Sequence, residues 1–310
     1  MVYLGRLGSR ASTVLFKYVG QAFRTIRILK AEQPSAVFVM TPPMFAAFPA
    51  FWYARGGIAQ VVLDAHTAAF SHPRWRRLQW LQRALIRRAT TTLVHNEHIA
   101  ALVEAAGGHA TLVPDVPVVF REVEPFGRPP GFTIVAVCSF NYDEPVEALF
   151  AAAALLPDVH FFVTGNPKHL ARELRISIPS NVTLTGFIST PAYGGLLKGA
   201  DAVLTLTTRD HTMLRGAYEA IYQGTPVIIS DWPVLREAFD EGAVHVGNDA
   251  TAIAEGIERL RRDHARFRIA AARLRQRKLE AWQVTRRSIL DRLNDRGPEQ
   301  LQVPTRSAPR

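Results

Sequence analysis

The chain has 310 residues, 48% of them hydrophobic and 21% charged, a composition that fits two globular domains and excludes a largely disordered protein. Its single cysteine, Cys138, excludes an internal disulfide and favours a cytoplasmic setting. The net charge of +10 is concentrated in residues 1–125 and 261–310, whereas residues 126–260 are acidic, which argues against nucleic acid as a partner. The longest apolar run, residues 44–54, is shorter than the roughly 20 residues that a membrane-spanning helix needs.

The first part of the chain alternates short apolar runs with longer amphipathic stretches, which predicts a parallel α/β domain. After a helical pattern over residues 12–32, strands are predicted at 36–40, 61–63, 92–94 and 111–113. Helices are predicted in the gaps, at 44–55, 73–89 and 96–106. A doubly wound domain normally opens with a strand, whereas a helical pattern comes first here, so we expect either that this domain lacks its opening strand or that a strand precedes Met1 in a longer product.

Residues 114–131 interrupt the alternation with five prolines and two glycines, and we interpret them as the interdomain linker. The alternation then resumes, with predicted strands at 132–137, 160–163, 182–184, 202–206, 226–229 and 243–246. Helices are predicted at 144–154, 168–173, 192–199, 213–223, 233–240 and over most of 250–294. Residues 297–310 are predicted to be a disordered tail.

Several motifs that identify chemistry are absent from the sequence. There is no GxGxxG fingerprint, P-loop, GxSxG elbow, CxxC or HExxH motif. No Asp-x-Asp pair occurs either, and such a pair is the usual holder of a divalent metal on a diphosphate. We therefore expect neither a cofactor nor a metal site.

The most informative stretch is residues 205–230, where a strand, a polar loop, a helix and a second strand follow one another. We expect Thr212 to cap the helix, whose free N–H groups then favour a phosphate. Arg215 and Gly216 lie in the first turn, where a small residue permits close approach. One turn further, the carboxylate of Glu219 has enough acceptor sites for both hydroxyls of a ribose. Spacing alone leaves open an ordinary strand–helix–strand crossover with a surface glutamate.

Residues 219–228 contain Glu-Ala, then Gly, then Thr-Pro-Val-Ile, and this pattern resembles the donor-nucleotide segment of retaining, group 1 glycosyltransferases of the GT-B fold. Two more segments match in the right order: the Tyr-x-x-Leu-Leu-x-x-Ala-Asp run of residues 193–201 and the glycine turn at Gly165. The helices after Leu260 are similar to the C-terminal helices of that family. The resemblance covers most of residues 130–290.

The resemblance implies two Rossmann-like, doubly wound α/β domains facing a cleft. We assign residues 1–117 to an acceptor-side domain and residues 118–280 to a donor-nucleotide domain. Residues 281–296 then form the C-terminal helix that returns to the first domain.

The resemblance also implies roles for single residues. Glu219 would hold the ribose, and the helix start at 212–216 would hold the pyrophosphate. His66, in the Asp64-Ala65-His66 turn at a strand end, would be the catalytic residue and contact the donor sugar. From the residues alone, that turn is equally a set of polar groups that satisfy the local backbone. His95 and Asn96, at the next strand end, are interpreted as a helix cap.

Other donor-site residues depart from the family pattern. Ser139 begins the loop in which the family commonly has an Arg and a Lys, and neither cation is present. Arg209 or Arg215 would replace them on the pyrophosphate. His211 stands where the family commonly has the first of two acidic residues.

Residues 74–88 form a basic amphipathic segment. One face carries the apolar residues Trp75, Leu78, Leu81 and Leu85, and the opposite face carries Arg76, Arg83 and Arg87. Such a segment suits an anionic membrane surface. An ordinary helix that buries its leucines in the first domain fits the same pattern.

The sequence thus predicts a cytoplasmic, membrane-associated glycosyltransferase. It would move a sugar from a nucleotide diphosphate sugar to a glycan, lipid-linked or small-molecule acceptor, with retention and without a metal. The missing cations and His211 leave open a non-catalytic homologue. A sugar-nucleotide epimerase is a further alternative, for which no general-base pair is evident.

Overall fold

The computed structural model describes residues 11–71 and 73–295, which divide into two compact units. The first unit comprises the chain up to Pro114 together with the residues from Val284 onward. The second unit is Asp115–Gln283. The expected tail at 297–310 lies outside the described residues.

The first unit contains a parallel four-stranded sheet in chain order. Its strands are β1 (Ala36–Thr41), β2 (Gln60–Ala65), β3 (Thr91–Val94) and β4 (Ala110–Leu112). Its helices are α1 (Ala11–Glu32), α2 (Ala47–Tyr53), α3 (Ala68–Ser71), α4 (Gln79–Arg88) and α5 (Glu97–Ala105), with 3₁₀ turns at Met44–Ala46 and Pro73–Leu78. All four predicted strands are confirmed. Within the described residues α1 precedes β1, and residues 1–10 lie outside them, so the missing opening strand stays a prediction.

Burial explains the sequence of the central strand β2. Val62 and Leu63 are fully buried, as expected for a parallel strand covered on both faces. The register pairs Thr41 with Ala65 and Asp64 with Leu93, so polar residues of neighbouring strands reach the same carboxyl edge of the sheet.

The second unit contains a parallel six-stranded sheet in the order β10-β9-β8-β5-β6-β7. Its strands are β5 (Phe132–Ala136), β6 (Val159–Thr164), β7 (Val182–Gly186), β8 (Ala202–Thr205), β9 (Val227–Ser230) and β10 (Ala243–Val246). Its helices are α6 (Val146–Leu155), α7 (Arg172–Ile176), α8 (Thr190–Gly199), α9 (Arg215–Tyr222), α10 (Pro233–Ala238), α11 (Ala250–Arg262) and α12 (His264–Asp295), of which α12 continues into the first unit. The predicted strands and helices are confirmed except for the helix at 168–173, where a 3₁₀ turn at Pro167–His169 is followed by α7. Strand order reverses between β5 and β8, the kind of position where open α/β sheets bind ligands.

Residues 115–131, which we name the strap, form no helix or strand but pack on the second unit. The Phe120 ring lies 5.8 Å from that of Tyr193, and the Phe126 ring lies 5.0 Å from that of Phe162. A Cβ atom on Gly195 would lie 1.8 Å from the Glu124 carbonyl oxygen, so α8 and the strap touch backbone to backbone. The chain passes from one unit to the other at the start of the predicted linker, and the aromatic residues of the strap are part of a packed surface of the second unit.

The end of α12 packs within the first unit. Ile289 is 8% exposed, and Gln60 Nε2 donates a hydrogen bond to the Leu293 carbonyl oxygen at 2.6 Å. The last turns of this helix are thereby fixed to the start of β2.

Candidate active site

Two loops of the second unit meet where its strand order reverses. The loop after β8 donates two hydrogen bonds to the loop after β5. The Thr208 N–H group donates to the Asp143 carbonyl oxygen at 2.7 Å, and Thr207 Oγ1 donates to Asp143 Oδ2 at 3.3 Å. These bonds hold the two loops side by side at the carboxyl edge of the sheet.

The loop after β5 is organised by a carboxylate rather than by a cation. Glu144 accepts hydrogen bonds from the backbone N–H groups of Ser139 and Asn141, each at 3.0 Å. Burial raises the pKa of Glu144. Ser139 is exposed, as a ligand-contacting residue would be, but its N–H group is already engaged.

Gly165 closes the neighbouring turn after β6. Its φ angle is +100°, and a Cβ atom there would lie 2.5 Å from the Cys138 carbonyl oxygen. Glycine is therefore required for the loops after β5 and β6 to approach each other.

The start of α9 differs from the prediction. The prediction that Thr212 caps this helix is wrong, because the N-cap position is Leu214. The Thr212 hydroxyl donates instead to the Asp210 carbonyl oxygen at 3.4 Å. The displacement follows from a turn at His211, whose φ angle is +54°, which delays the helix. Because Leu214 provides no side-chain cap, the first N–H groups of α9 are left to bind other acceptors.

Gly216 has a packing role in this helix start. A Cβ atom on it would lie 2.9 Å from the Val137 side chain, so the glycine allows α9 to lie against the end of β5. The predicted reason, close approach of a ligand, is not needed to explain this glycine.

Glu219 lies at the centre of a three-residue network. Its Oε1 accepts from Arg215 Nε at 2.8 Å, and its Oε2 accepts from the Tyr193 hydroxyl at 2.7 Å. The Glu219 side chain is 12% exposed and that of Arg215 is 81% exposed. Burial and the neighbouring Glu219 charge raise the pKa of Tyr193, so its hydroxyl stays a donor. Each carboxylate oxygen keeps one acceptor position for a further hydroxyl group.

Tyr193 is a candidate site residue that the sequence patterns did not indicate. In the sequence it belongs to the Tyr-x-x-Leu-Leu run of α8, and nothing in the spacing shows that α8 and α9 lie side by side. The one available sequence signal was a tyrosine in the first turns of α8, where a leucine would pack equally well and a hydroxyl group therefore suggests a polar partner.

Arg209 and His211 lie on the loop after β8. Arg209 Nη1 donates to the Tyr142 hydroxyl at 2.7 Å, which ties this guanidinium to the loop after β5. His211 Nε2 lies 3.6 Å from Asp210 Oδ2, with 46% of its side chain exposed. Arg209 thus lies where the two loops meet, and His211 projects from the loop surface.

In the first unit, three polar residues gather after β2 and β3. Asp64 Oδ1 lies 3.6 Å from His95 Nε2, and Asp64 Oδ2 lies 3.9 Å from His66 Nε2. The two imidazole rings are 4.9 Å apart. Asn96 caps α5 by accepting from the Ile99 N–H group at 3.0 Å, which confirms the predicted cap, but His95 belongs to the cluster.

The basic segment of residues 74–88 is a 3₁₀ turn followed by α4. Its apolar face packs in the first unit: Leu85 is 5% exposed, and Trp75, Leu78 and Leu81 pack against the same core. The ordinary interpretation of its leucines is therefore confirmed. Five arginines remain exposed: Arg76, Arg77, Arg83, Arg87 and Arg88. Within the described residues, none of the helices has the length and apolar character that crossing a bilayer requires.

Solved structures share this architecture. Sucrose-phosphate synthase from Thermosynechococcus elongatus is 18% identical and superimposes with a TM-score of 0.68 over 89% of this chain and 80% of that one. HepE of Anabaena, solved with UDP and glucose, is 14% identical, with a TM-score of 0.67 over 89% of this chain and 82% of that one. A trehalose-phosphate synthase from Burkholderia xenovorans is 14% identical, with a TM-score of 0.62 over 93% of this chain and 80% of that one. The two parallel sheets and these likenesses define the GT-B fold.

Sequence comparison matches one segment of the chain to a family model. Residues 131–263 match the model of the family described as glycosyl transferases group 1. A search of curated proteins found no match. The matched segment contains α8, α9 and every strand of the second sheet, so this part of the chain is similar to the group 1 glycosyltransferases.

Proposed function

We propose that this enzyme transfers a sugar from a nucleotide diphosphate sugar to a glycan, lipid-linked or small-molecule acceptor, with retention at the anomeric carbon and without a metal. The observation that carries the proposal is the start of α9 beside Glu219, within the segment that matches the family. An uncapped helix N-terminus attracts a diphosphate, and a carboxylate one turn along suits a ribose.

The residues divide the work as follows. Glu219, held by Tyr193 and Arg215, accepts hydrogen bonds from the ribose hydroxyls. The start of α9 at residues 214–216 and the exposed guanidinium of Arg215 face the pyrophosphate, and Arg209 adds charge from the same loop region. As the donor bond breaks, the negative charge on the leaving diphosphate grows, and fixed dipoles and guanidinium groups stabilise it without reorganising.

His66 is the residue of the first unit that we assign to the donor sugar. It follows β2 at the carboxyl edge of its sheet, the edge where ligands of parallel sheets bind. Its proposed role is to donate or accept a hydrogen bond with the sugar and to stabilise the charge that develops on the sugar during transfer. Ser139 and Gly165 belong to the loops that border the donor, Ser139 as an exposed contact and Gly165 through the turn that it permits.

Membrane association is a separate part of the proposal. The leucines of residues 74–88 pack in the core of the first unit, so attraction to an anionic leaflet would come from the exposed arginines alone. Co-sedimentation with phosphatidylglycerol vesicles tests this: binding should vanish at high salt, since about 1 kcal/mol per arginine is screened. Binding that persists in high salt, or none in low salt, contradicts it.

A donor panel tests the proposed function. The full chain is incubated with UDP-, GDP-, ADP- and dTDP-linked sugars, and release of the nucleoside diphosphate is measured with and without candidate acceptors. UDP-linked sugars come first, since HepE was solved with UDP-glucose as well as with UDP and glucose. Release with one nucleotide class, and a product whose anomeric proton coupling equals that of the donor, supports the proposal. Neither binding nor release with any donor is the result expected of a non-catalytic homologue.

A further inference from the structure

The cluster of Asp64, His66 and His95 has a geometry that hydrogen bonding within the cluster does not explain. The separations of 3.6 Å and 3.9 Å between the carboxylate and the two Nε2 atoms exceed the range of a direct hydrogen bond. Asp64 Oδ1 and His95 Nε2 are both buried atoms that find no hydrogen-bond partner within the described residues. The polar atoms of the three side chains thus lie close together without direct hydrogen bonds between the carboxylate and the imidazoles.

The backbone around His95 decides which of its nitrogens carries the proton. His95 Nδ1 lies 3.0 Å from the Val113 carbonyl oxygen, and a carbonyl oxygen only accepts, so Nδ1 must be the donor. In neutral His95 the Nε2 lone pair then points toward Asp64 Oδ1, which is also an acceptor. Two acceptors that face each other are stabilised by a positive ion placed between them. A carbonyl that holds the far nitrogen is also the usual support of a metal-ligating histidine.

We propose that Asp64, His66 and His95 form a binding site for a divalent transition metal ion of the zinc class. One ligand atom from each residue lies within 4.8 Å of the other two. Ligand atoms of a tetrahedral zinc ion lie about 3.3 Å apart, so small rotations of the side chains complete the site. Two imidazoles and one carboxylate suit zinc, cobalt or nickel better than magnesium or calcium.

Exposure determines what else the ion would bind. The side chains of His66, Asp64 and His95 are 44%, 29% and 24% exposed. An ion has a route in from solvent, and three protein ligands leave its fourth position to water or to a ligand. The site shares His66 with the proposed contact to the donor sugar but no residue with the start of α9, and the proposed transfer needs no metal.

The direct test is a titration of the full chain with Co²⁺ after chelator treatment, without any donor. Binding at the cluster gives visible absorption bands, and Zn²⁺ should abolish them by competition. We expect His95→Ala and Asp64→Asn to raise the Co²⁺ dissociation constant at least about tenfold. His109→Ala is the matched control, an exposed histidine of the same unit outside the cluster, and should bind as the wild type does. Melting curves of the metal-free variants exclude unfolding.

The result that overturns the proposal is equally clear. Absence of the bands in the wild type, or bands of equal strength in His95→Ala and Asp64→Asn, would show that the cluster is only a histidine–carboxylate charge group.

A second readout rests on the proposed function of His66. Metal bound at Nε2 removes this histidine from the donor sugar, so Zn²⁺ should lower wild-type transfer, and its relative effect should be weaker in His95→Ala. Co²⁺ binding without any inhibition by Zn²⁺ would leave the metal site in place and contradict the role of His66. The titration contains no donor, so the two failures are distinguishable.

Discussion

The two units present different kinds of polar groups at the carboxyl edges of their sheets. In the second unit the groups are already paired: Glu144 binds loop amides, and Glu219 is held by Arg215 and Tyr193. In the first unit Asp64, His66 and His95 lie near one another without direct hydrogen bonds among the three. The comparison indicates that the proposed donor side is organised before an anionic ligand arrives. In the cluster of the first unit, Asp64 Oδ1 and His95 Nε2 have no hydrogen-bond partner among the described residues and would gain one from an added group.

Removing the centre of the paired network should have the largest effect. Glu219→Ala should weaken binding of the nucleoside diphosphate by about 2–3 kcal/mol, because ribose hydroxyls lose their acceptor and Tyr193 loses its partner. Calorimetry with the diphosphate alone measures this. Tyr193→Phe is the matched variant. It keeps the Glu219 carboxylate, so it should weaken binding of the diphosphate less than Glu219→Ala does. An unchanged dissociation constant in Glu219→Ala would remove Glu219 from the site.

The second unit should also respond to pH through a buried carboxyl group. Burial raises the pKa of Asp115 to about 6, although Tyr222 donates to it. Since this pKa lies above the unfolded value of 3.8, the protonated form stabilises the fold below about pH 4, and that contribution is lost as pH rises through 6. The loss should be on the order of 2 kcal/mol in the unfolding free energy of the second unit.

The comparison that isolates Asp115 is with Asp115→Asn. This variant cannot ionise, so its stability relative to the wild type should increase between pH 4 and pH 7. Urea unfolding at both pH values measures the change, and Asp263→Asn, an exposed position, should show none. Parallel pH profiles of Asp115→Asn and the wild type would contradict the assignment.

Loss of His66 should have a smaller and different effect, on turnover rather than on affinity. His66→Ala should bind the diphosphate normally but turn over at least about tenfold more slowly, a barrier increase of about 1.4 kcal/mol. Calorimetry and steady-state kinetics on one preparation measure both, and His98→Ala, on the exposed face of α5, is the control. Wild-type turnover in His66→Ala would mean that Asp64-Ala65-His66 is only a turn.

Chelation should not lower transfer. The donor is expected to be held by a helix start and arginines, so EDTA should leave kcat of the metal-free enzyme unchanged and should raise kcat only where it removes an inhibitory metal from the first-unit cluster. Activity assays with and without EDTA measure this. Activity that disappears with EDTA and returns with Mn²⁺ or Mg²⁺ would break the distinction between the two units.

The sequence predicted the strands, most of the helices and the segment that matches the family model because each depends on local patterns. Runs such as residues 227–229 are apolar wherever a strand is buried on both faces, and the resemblance over 130–290 rests on short motifs. Three features were out of reach because they depend on tertiary contacts. The cap at Thr212 was displaced by the turn at His211, Tyr193 meets Glu219 only because α8 lies beside α9, and His95 joins Asp64 only because β2 pairs with β3.

The strap changes where this chain can be recombined with its relatives. From composition, a chimera could be joined anywhere among the prolines of residues 114–131. If the part up to Phe126 came from a relative, however, foreign side chains would pack against Phe162 and Gly195. Gly195 has no room for a Cβ atom against the native backbone at Glu124, so a strap of different path would collide with α8. A transplant of the second unit of this protein should therefore begin at Asp115 and include its own strap.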